Sequence, residues 1–171
     1  MKRQVTAVLG AVAMVVMANA AAAQGKPNFA GKWELDAEKT AAANPNAGGG
    51  GGGGGGGRGG RGGGMAGPMT IAIDGTTMTV TREGQNGPMV QTYKLDDSEQ
   101  TVTMGQGEAK VKAKWDGNTI VLVTTRQGQN GPVTTTAVYS IEGDNLVVAN
   151  TQPPRGGGDP VTRKSVYKKA A

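Results

Sequence analysis

The chain predicts an all-β fold: an antiparallel up-and-down barrel of eight to ten strands, with a β-sandwich of the same strands as the alternative. Three observations lead there. From position 69 onward apolar and polar residues alternate in short runs split by Gly-rich turns, with no helical period. The same region repeats itself: Gly128-Gln129-Asn130-Gly131-Pro132 copies Gly84-Gln85-Asn86-Gly87-Pro88 at an offset of 44, Asp116-Gly117 copies Asp74-Gly75 at 42, and Tyr139 copies Tyr93 at 46. Offsets differing by two keep each side chain on its face of a strand, because two residues are one pleat. Finally, the connections are short and even, which predicts antiparallel neighbours throughout. A weaker third copy, at an offset of 28 from the second, carries Asp144, Gly156, Pro160, Val161, Val166 and Tyr167.

The first segment, 1–23, begins Met1-Lys2-Arg3 and continues as an apolar run to Met17, followed by alanine-rich small-x-small sites. The run is shorter than the roughly 20 residues that span a bilayer. This pattern predicts a secretory signal peptide cleaved before Gln24. The mature chain is therefore expected in the periplasm or outside the cell, with no transmembrane segment after cleavage. Without Lys2 and Arg3 the chain holds 16 basic and 13 acidic residues. That mild excess calls for no polyanionic partner.

Segment 24–47 opens the fold. Phe29, Trp33 and Leu35 share one face of an extended run, with Lys32, Glu34 and Asp36 on the other. Asp36 is placed to cap a short helix through Ala43, and Pro45 to end it. Gly31-Lys32-Trp33, close behind a leader and ahead of a β-meander, resembles the Gly-x-Trp opening of lipocalins. More narrowly, the run 28–39 (Asn-Phe-Ala-Gly-Lys-Trp-Glu-Leu-Asp-Ala-Glu-Lys) resembles the start of small secreted bacterial lipocalin-like proteins of unknown function. The resemblance implies a lipocalin-like barrel closed at one end by Gly31 and Trp33. It also implies an arginine from a late strand over the Trp33 ring, for which Arg163 is the best-placed residue. No second lipocalin motif is present, and no helical pattern follows the last strand.

Segment 48–64 holds fifteen glycines with Arg58 and Arg61. It can bury no apolar surface and reads as a disordered linker. Its two arginines lack interleaved aromatics, so no nucleic-acid partner is expected.

Segment 65–171 completes the barrel, with strands expected at 69–73, 78–82, 89–95, 100–104, 108–115, 119–126, 133–141, 145–151 and 161–168. Asp74-Gly75 and Asp116-Gly117 predict two-residue type I′ corners, and Gly143-Asp144 a third turn. Ala109, Val111, Ala113 and Trp115 alternate with Lys110, Lys112 and Lys114, so one face turns to the core and a lysine stripe to solvent, where it discourages edge pairing. The strand 119–126 is apolar on both faces at 120–123, which allows packing outside the barrel as well.

Composition excludes more chemistry than it suggests. There is no cysteine and no histidine, which removes disulfides, thiolate nucleophiles, Ser-His-Asp triads and His-ligated zinc. Asp96, Asp97 and Glu99 cluster, but without the glycine and ligand number of a calcium loop, so they read as a solvated turn. The two Gly-Gln-Asn-Gly-Pro loops lack the following helix that cradles phosphate. They read as turns, and could rim one barrel mouth. No cofactor, metal or catalytic residue is expected. The expected function is that of a monomeric, non-enzymatic barrel holding a small hydrophobic molecule, with Tyr93, Trp115 and Tyr139 as candidate lining residues. The alternative is a filled barrel acting as an envelope or secreted interaction protein.

Overall fold

The computed structural model describes residues 25–45, 67–84, 87–104, 107–129, 131–154 and 159–170. The expected leader and the glycine tract 48–64 lie outside the described residues. Ten strands and one short helix follow in order: β1 (Gly31–Leu35), α1 (Ala37–Ala42), β2 (Met69–Asp74), β3 (Thr77–Gly84), β4 (Gly87–Lys94), β5 (Asp96–Met104), β6 (Gly107–Asp116), β7 (Thr119–Gly128), β8 (Gly131–Glu142), β9 (Asn145–Gln152) and β10 (Val161–Lys169). They form one antiparallel sheet in the order β4-β3-β2-β1-β10-β9-β8-β7-β6-β5. The sheet curls into a nearly closed up-and-down barrel. Among the described residues no helix is long and apolar enough to cross a membrane.

The edges of the sheet, β4 and β5, are consecutive in the chain, with only Leu95 between them, yet they do not pair. The expectation of antiparallel pairing between all sequence neighbours fails at this point. The reason is local. The Leu95 side chain is buried and its N–H donates to the carbonyl of Thr76 at 2.6 Å, which pins the link to the β2–β3 corner. Asp97 then takes a positive φ of 63°, and the register of β5 shifts between Asp96 and Glu99. β5 is thus turned toward β6. The seam is bridged by one side chain: the Gln100 amide accepts from Lys94 N–H at 3.2 Å and donates to Lys94 C=O at 3.4 Å, as a neighbouring strand would.

A second seam lies beside β1, which is short and pairs with β10 only from Tyr167 to Lys169. Beyond that, α1 covers the β10 edge. Asp36 caps the helix by accepting from Lys39 N–H at 3.0 Å. Its own N–H donates to Val166 C=O at 2.8 Å. Thr40 Oγ1 accepts from Val166 N–H at 2.9 Å, and the Asn44 amide both donates to Lys164 C=O and accepts from Lys164 N–H. Side chains therefore satisfy backbone groups that a longer β1 would have paired.

The three predicted corners form, the third where expected and the first two one residue later. Asp74 pairs with Thr77, Asp116 with Thr119 and Glu142 with Asn145, so the corners are Gly75-Thr76, Gly117-Asn118 and Gly143-Asp144. Only the glycines have positive φ, between 56° and 62°. A positive φ at the first corner residue alone is the type II′ signature, not type I′. These corners, the β4–β5 link and the segment before β1 lie at one end of the barrel. The chain reverses at the other end where Gly84 meets Gly87 and Gly128 meets Gly131. Both Gly-Gln-Asn-Gly-Pro copies thus border the same end. Residues 85, 86 and 130 lie outside the described residues.

One apolar cluster fills the first end. Ile71, Met78, Val80, Val111, Ile120 and Leu146 are its largest fully buried aliphatics, drawn from β2, β3, β6, β7 and β9. The lysine stripe of β6 does face outward, but β6 is not an edge. β5 covers its flank, and Lys110 pairs with Glu99 at 2.8 Å and Lys114 with Asp97 at 3.6 Å.

Candidate functional site

Strand alternation and register fix which residues face the lumen. The packed end is closed from below by residues 25–30. Phe29 is fully buried and its ring lies 5.6 Å from that of Trp115. Trp33, only 3% exposed, donates its indole N–H to the Phe29 carbonyl at 2.9 Å. Lys26 sits over Trp115, 4.6 Å from the ring centre. The Trp115 indole nitrogen is buried without a hydrogen-bond partner in the structure.

Of the closure residues expected from the sequence, Trp33 and Gly31 lie together at this end. Gly31 has a φ of 137°, and a Cβ there would come 3.3 Å from the Lys169 side chain. Arg163 does not join them. It pairs with Asn150, six residues up β10, while Lys169 is the residue opposite Trp33. The cation over the Trp33 ring is Lys169 Nζ, 5.9 Å from its centre. The correction follows from register: the shear of the barrel brings the C-terminal end of β10, not its middle, against β1.

Above the apolar cluster comes a layer of phenols. Each copy of the sequence repeat places a tyrosine on its second strand, opposite a buried aliphatic: Tyr93 faces Met78, Tyr139 faces Ile120, and Tyr167 faces Leu146. Tyr93 donates to Gln91 Oε1 at 2.8 Å. Arg82, which enters from β3 on the far wall, donates to the Tyr139 hydroxyl across the lumen. Burial holds the Tyr93 phenol well above its ordinary pKa, the nearby Tyr139 phenol pushes the same way, and the Arg82 guanidinium opposes both. At Tyr139 burial again dominates and raises the pKa; Arg82 pulls it back, and Tyr167 raises it. Both phenols are therefore neutral donors at ordinary pH. Two expected lining residues, Tyr93 and Tyr139, thus meet with Tyr167 and Arg82. Trp115 is placed instead with Phe29 at the closed end.

The layer above is open. Met89 and Val161 face the lumen by register, yet are 44% and 51% exposed. Thr124, Thr135 and Asn150 line the wall between them and the phenols. By register Arg126 on β7 and Arg163 on β10 share this face near the rim, but both are exposed, and Arg126 also borders an outer depression. Among the described strands no Asp or Glu faces the lumen; every carboxylate lies on the outer face or in a turn. The arginines of this face were missed as a set in the sequence, although their spacing from the tyrosines along each strand would have shown them. Two depressions, of about 310 and 170 Å³, open on the outer surface instead, the first bordered by Thr101, Glu108, Lys110, Thr125 and Arg126, the second by Lys32, Glu34 and Thr70. Asp96, Asp97 and Glu99 do not converge: Asp96 accepts from Ser98, and the other two pair with separate lysines.

No family model matches the chain, and no curated protein does. Solved structures do resemble it. The REP1-NXSQ fatty acid transporter superposes with a TM-score of 0.54 at 15% identity, over 83% of this chain and 96% of that one. Apo lipid binding protein 8 of Caenorhabditis elegans gives 0.55 at 10% identity, over 83% and 95%. Secretory abundant heat soluble protein 4 of Ramazzottius varieornatus gives 0.55 at 19%, over 86% and 97%. At these identities the likeness shows the fold.

Proposed function

We propose that this protein is a non-enzymatic carrier of a small amphipathic anion, such as a fatty acid, held with its head on the phenol layer. The observation that carries this reading is the charge of the lumen. Arg82 is a guanidinium set against the Tyr93 and Tyr139 phenols inside the barrel, and among the described strands the carboxylates lie on the outer face or in turns. A guanidinium presents five donors in a planar fork that matches a carboxylate. Tyr139, held neutral by burial, adds a hydroxyl beside it. Two of the resembling structures are named for lipids, which supports the same class of ligand. The open upper lumen supplies a way in. We further propose that the chain is exported after cleavage before Gln24, as the 1–23 pattern suggests; N-terminal sequencing of the mature protein decides it.

The test of binding is displacement of a fluorescent fatty acid by its unlabelled analogue. Saturable one-site binding is expected, weakened roughly 10- to 100-fold in Arg82→Gln, since a hydrogen bond to a charged group contributes about 1.5–3 kcal/mol. Absence of saturable binding by the wild-type protein refutes the reading. The packed lower half then favours a filled barrel that acts through its surface.

A further inference from the structure

We infer that the seam between β4 and β5 is a docking site for one extended, uncharged peptide segment of a partner protein, which enters as an eleventh strand beside the ten and seals the barrel. Lys94 turns both its N–H and its C=O to the seam, where the Gln100 amide meets them at 3.2 and 3.4 Å. Along an antiparallel edge strand, alternate residues bond to the neighbour, and the residues between them point their backbone groups away. Val90 and Thr92 therefore also turn their N–H and C=O groups to the seam. Position 88 accepts proline for the same reason: the N–H it lacks is one that β3 would not use. β5 presents the matching edge. It closes on β6 through Met104 and Gly107, as β3 closes on β4 through Gly84 and Gly87, so the same alternation puts the groups of Thr101 and Thr103 on the seam. Among the described residues none of these backbone groups of Val90, Thr92, Thr101 and Thr103 has a partner.

Gln100 also sets the width. Its amide stands beside Lys94 where a neighbouring strand would run, about 4.8 Å away, and its own backbone lies one side-chain length beyond. At that level β4 and β5 are thus about two strand spacings apart, or roughly 10 Å. Such a seam admits one strand. It excludes a second copy of this chain, because each edge strand of that copy carries a neighbour on its other side. The occupant is therefore a single segment. Above Gln100 no hydrogen bond between described residues crosses the seam.

The rims set the chemistry. Natural sheet edges are guarded by charge, proline and bulges. Here Lys94 and the irregular start of β5 guard the foot of the seam and Pro88 its top, but the stretch between them has no such guard. The outer rim there is Val90, Thr92, Thr101 and Thr103, without a charge. The inner rim is apolar at Met89, Val102 and Met104. Val90 is 61% and Met89 44% exposed, so apolar surface stands open on this edge. A segment with apolar side chains inward and threonine or glutamine outward complements both rims. A charged side chain turned inward would lose its hydration against them.

The probe is the capped peptide acetyl-Thr-Val-Gln-Val-Thr-amide, titrated into the full mature chain. Fluorescence anisotropy of a labelled copy reads affinity, and amide exchange reads the place. Saturable one-to-one binding is expected, with exchange slowed at Thr92 and Thr101. N-methylation of the peptide at alternate residues should abolish binding, and replacing both of its valines by lysine should weaken it at least 10-fold. Thr92→Pro removes one seam donor and spares the β3 ladder, so its melting curve should stay cooperative while affinity falls about 3- to 10-fold, the loss of one hydrogen bond. Absence of saturable binding overturns the inference. So does binding that survives N-methylation, or that leaves exchange at Thr92 and Thr101 unchanged. If those amides are protected without peptide, at concentrations where the protein sediments as a dimer, the seam belongs to a second copy and the inference is equally overturned.

Discussion

Replacing Trp33 by alanine should be among the most damaging single changes at the closed end. A tryptophan buries about 150–250 Å², and at about 25 cal/mol per Å² its removal forfeits roughly 4–6 kcal/mol before relaxation. Partial collapse of the site brings the expected loss to about 3–5 kcal/mol. Part of this is specific: without the indole N–H, the Phe29 carbonyl loses its donor inside the plug. Trp33→Phe separates the two contributions and should cost about 1–2 kcal/mol, near the value of one buried hydrogen bond. Lys169→Ala removes a cation whose face contact with the ring contributes about 0.5–1 kcal/mol at an exposed site. Urea unfolding of these single variants, and of double variants with Lys169 and with Arg163, supplies the cycles. Trp33 and Lys169 should couple. Trp33 and Arg163 should add within about 0.3–0.5 kcal/mol, because six residues of strand separate Arg163 from Lys169. Coupling to Arg163 rather than Lys169 would refute the register of β1 against β10. A near-neutral Trp33→Ala would refute the closing role altogether.

Stability should fall in alkali. Tyr93 and Tyr139 have raised pKa values when folded, so their contribution is complete below the unfolded value near 10 and declines above it. With both phenols protonated only in the folded state, the decline is about 2.7 kcal/mol per pH unit well above pH 10, and Tyr93→Phe should flatten the profile in a pH series of urea melts. Gly117→Ala should lose about 1–2 kcal/mol, since φ is 57° and no atom lies within 4 Å of the added Cβ, so the cost is backbone strain alone. Thr40→Val should lose about 1–3 kcal/mol by leaving the N–H of buried Val166 without its acceptor, and amide exchange at Val166 should quicken; Thr40→Ser should restore both.

The meander was legible because the information for it is local. Alternation at Ala109, Val111 and Ala113 gives the face of β6 directly, and each Gly-rich corner marks a reversal. All ten strands follow from such signals. The repeat also indicated that Tyr93, Tyr139 and Tyr167 are equivalent, and the structure seats them in one layer. The turn type was misread because Asp-Gly is a strong type I′ signal, whereas here the aspartate remains the last paired residue of its strand. The β4–β5 seam was hidden because Asp96 and Asp97 look like an ordinary corner. Their effect depends on Leu95 being pinned to Thr76, a contact between segments that no local pattern encodes. The Trp33 cation was misassigned for a related reason: the shear that pairs Lys169 with Trp33 is a property of the whole closed sheet.

The position of β1 between β2 and β10 has a kinetic consequence. β2 to β4 and β5 to β10 can each assemble strand by strand, every strand docking on a neighbour close in the chain. β1 alone must wait for a partner more than a hundred residues away, and the Phe29–Trp33 plug waits with it. Closure is the one step of high contact order, and loop entropy opposes it until β10 is available. A chain emerging from its N-terminus therefore stays unsealed, with Phe29 and Trp33 free, until its last strand arrives. Such a chain stays unsealed until nearly all of it has emerged, a state compatible with the export proposed above.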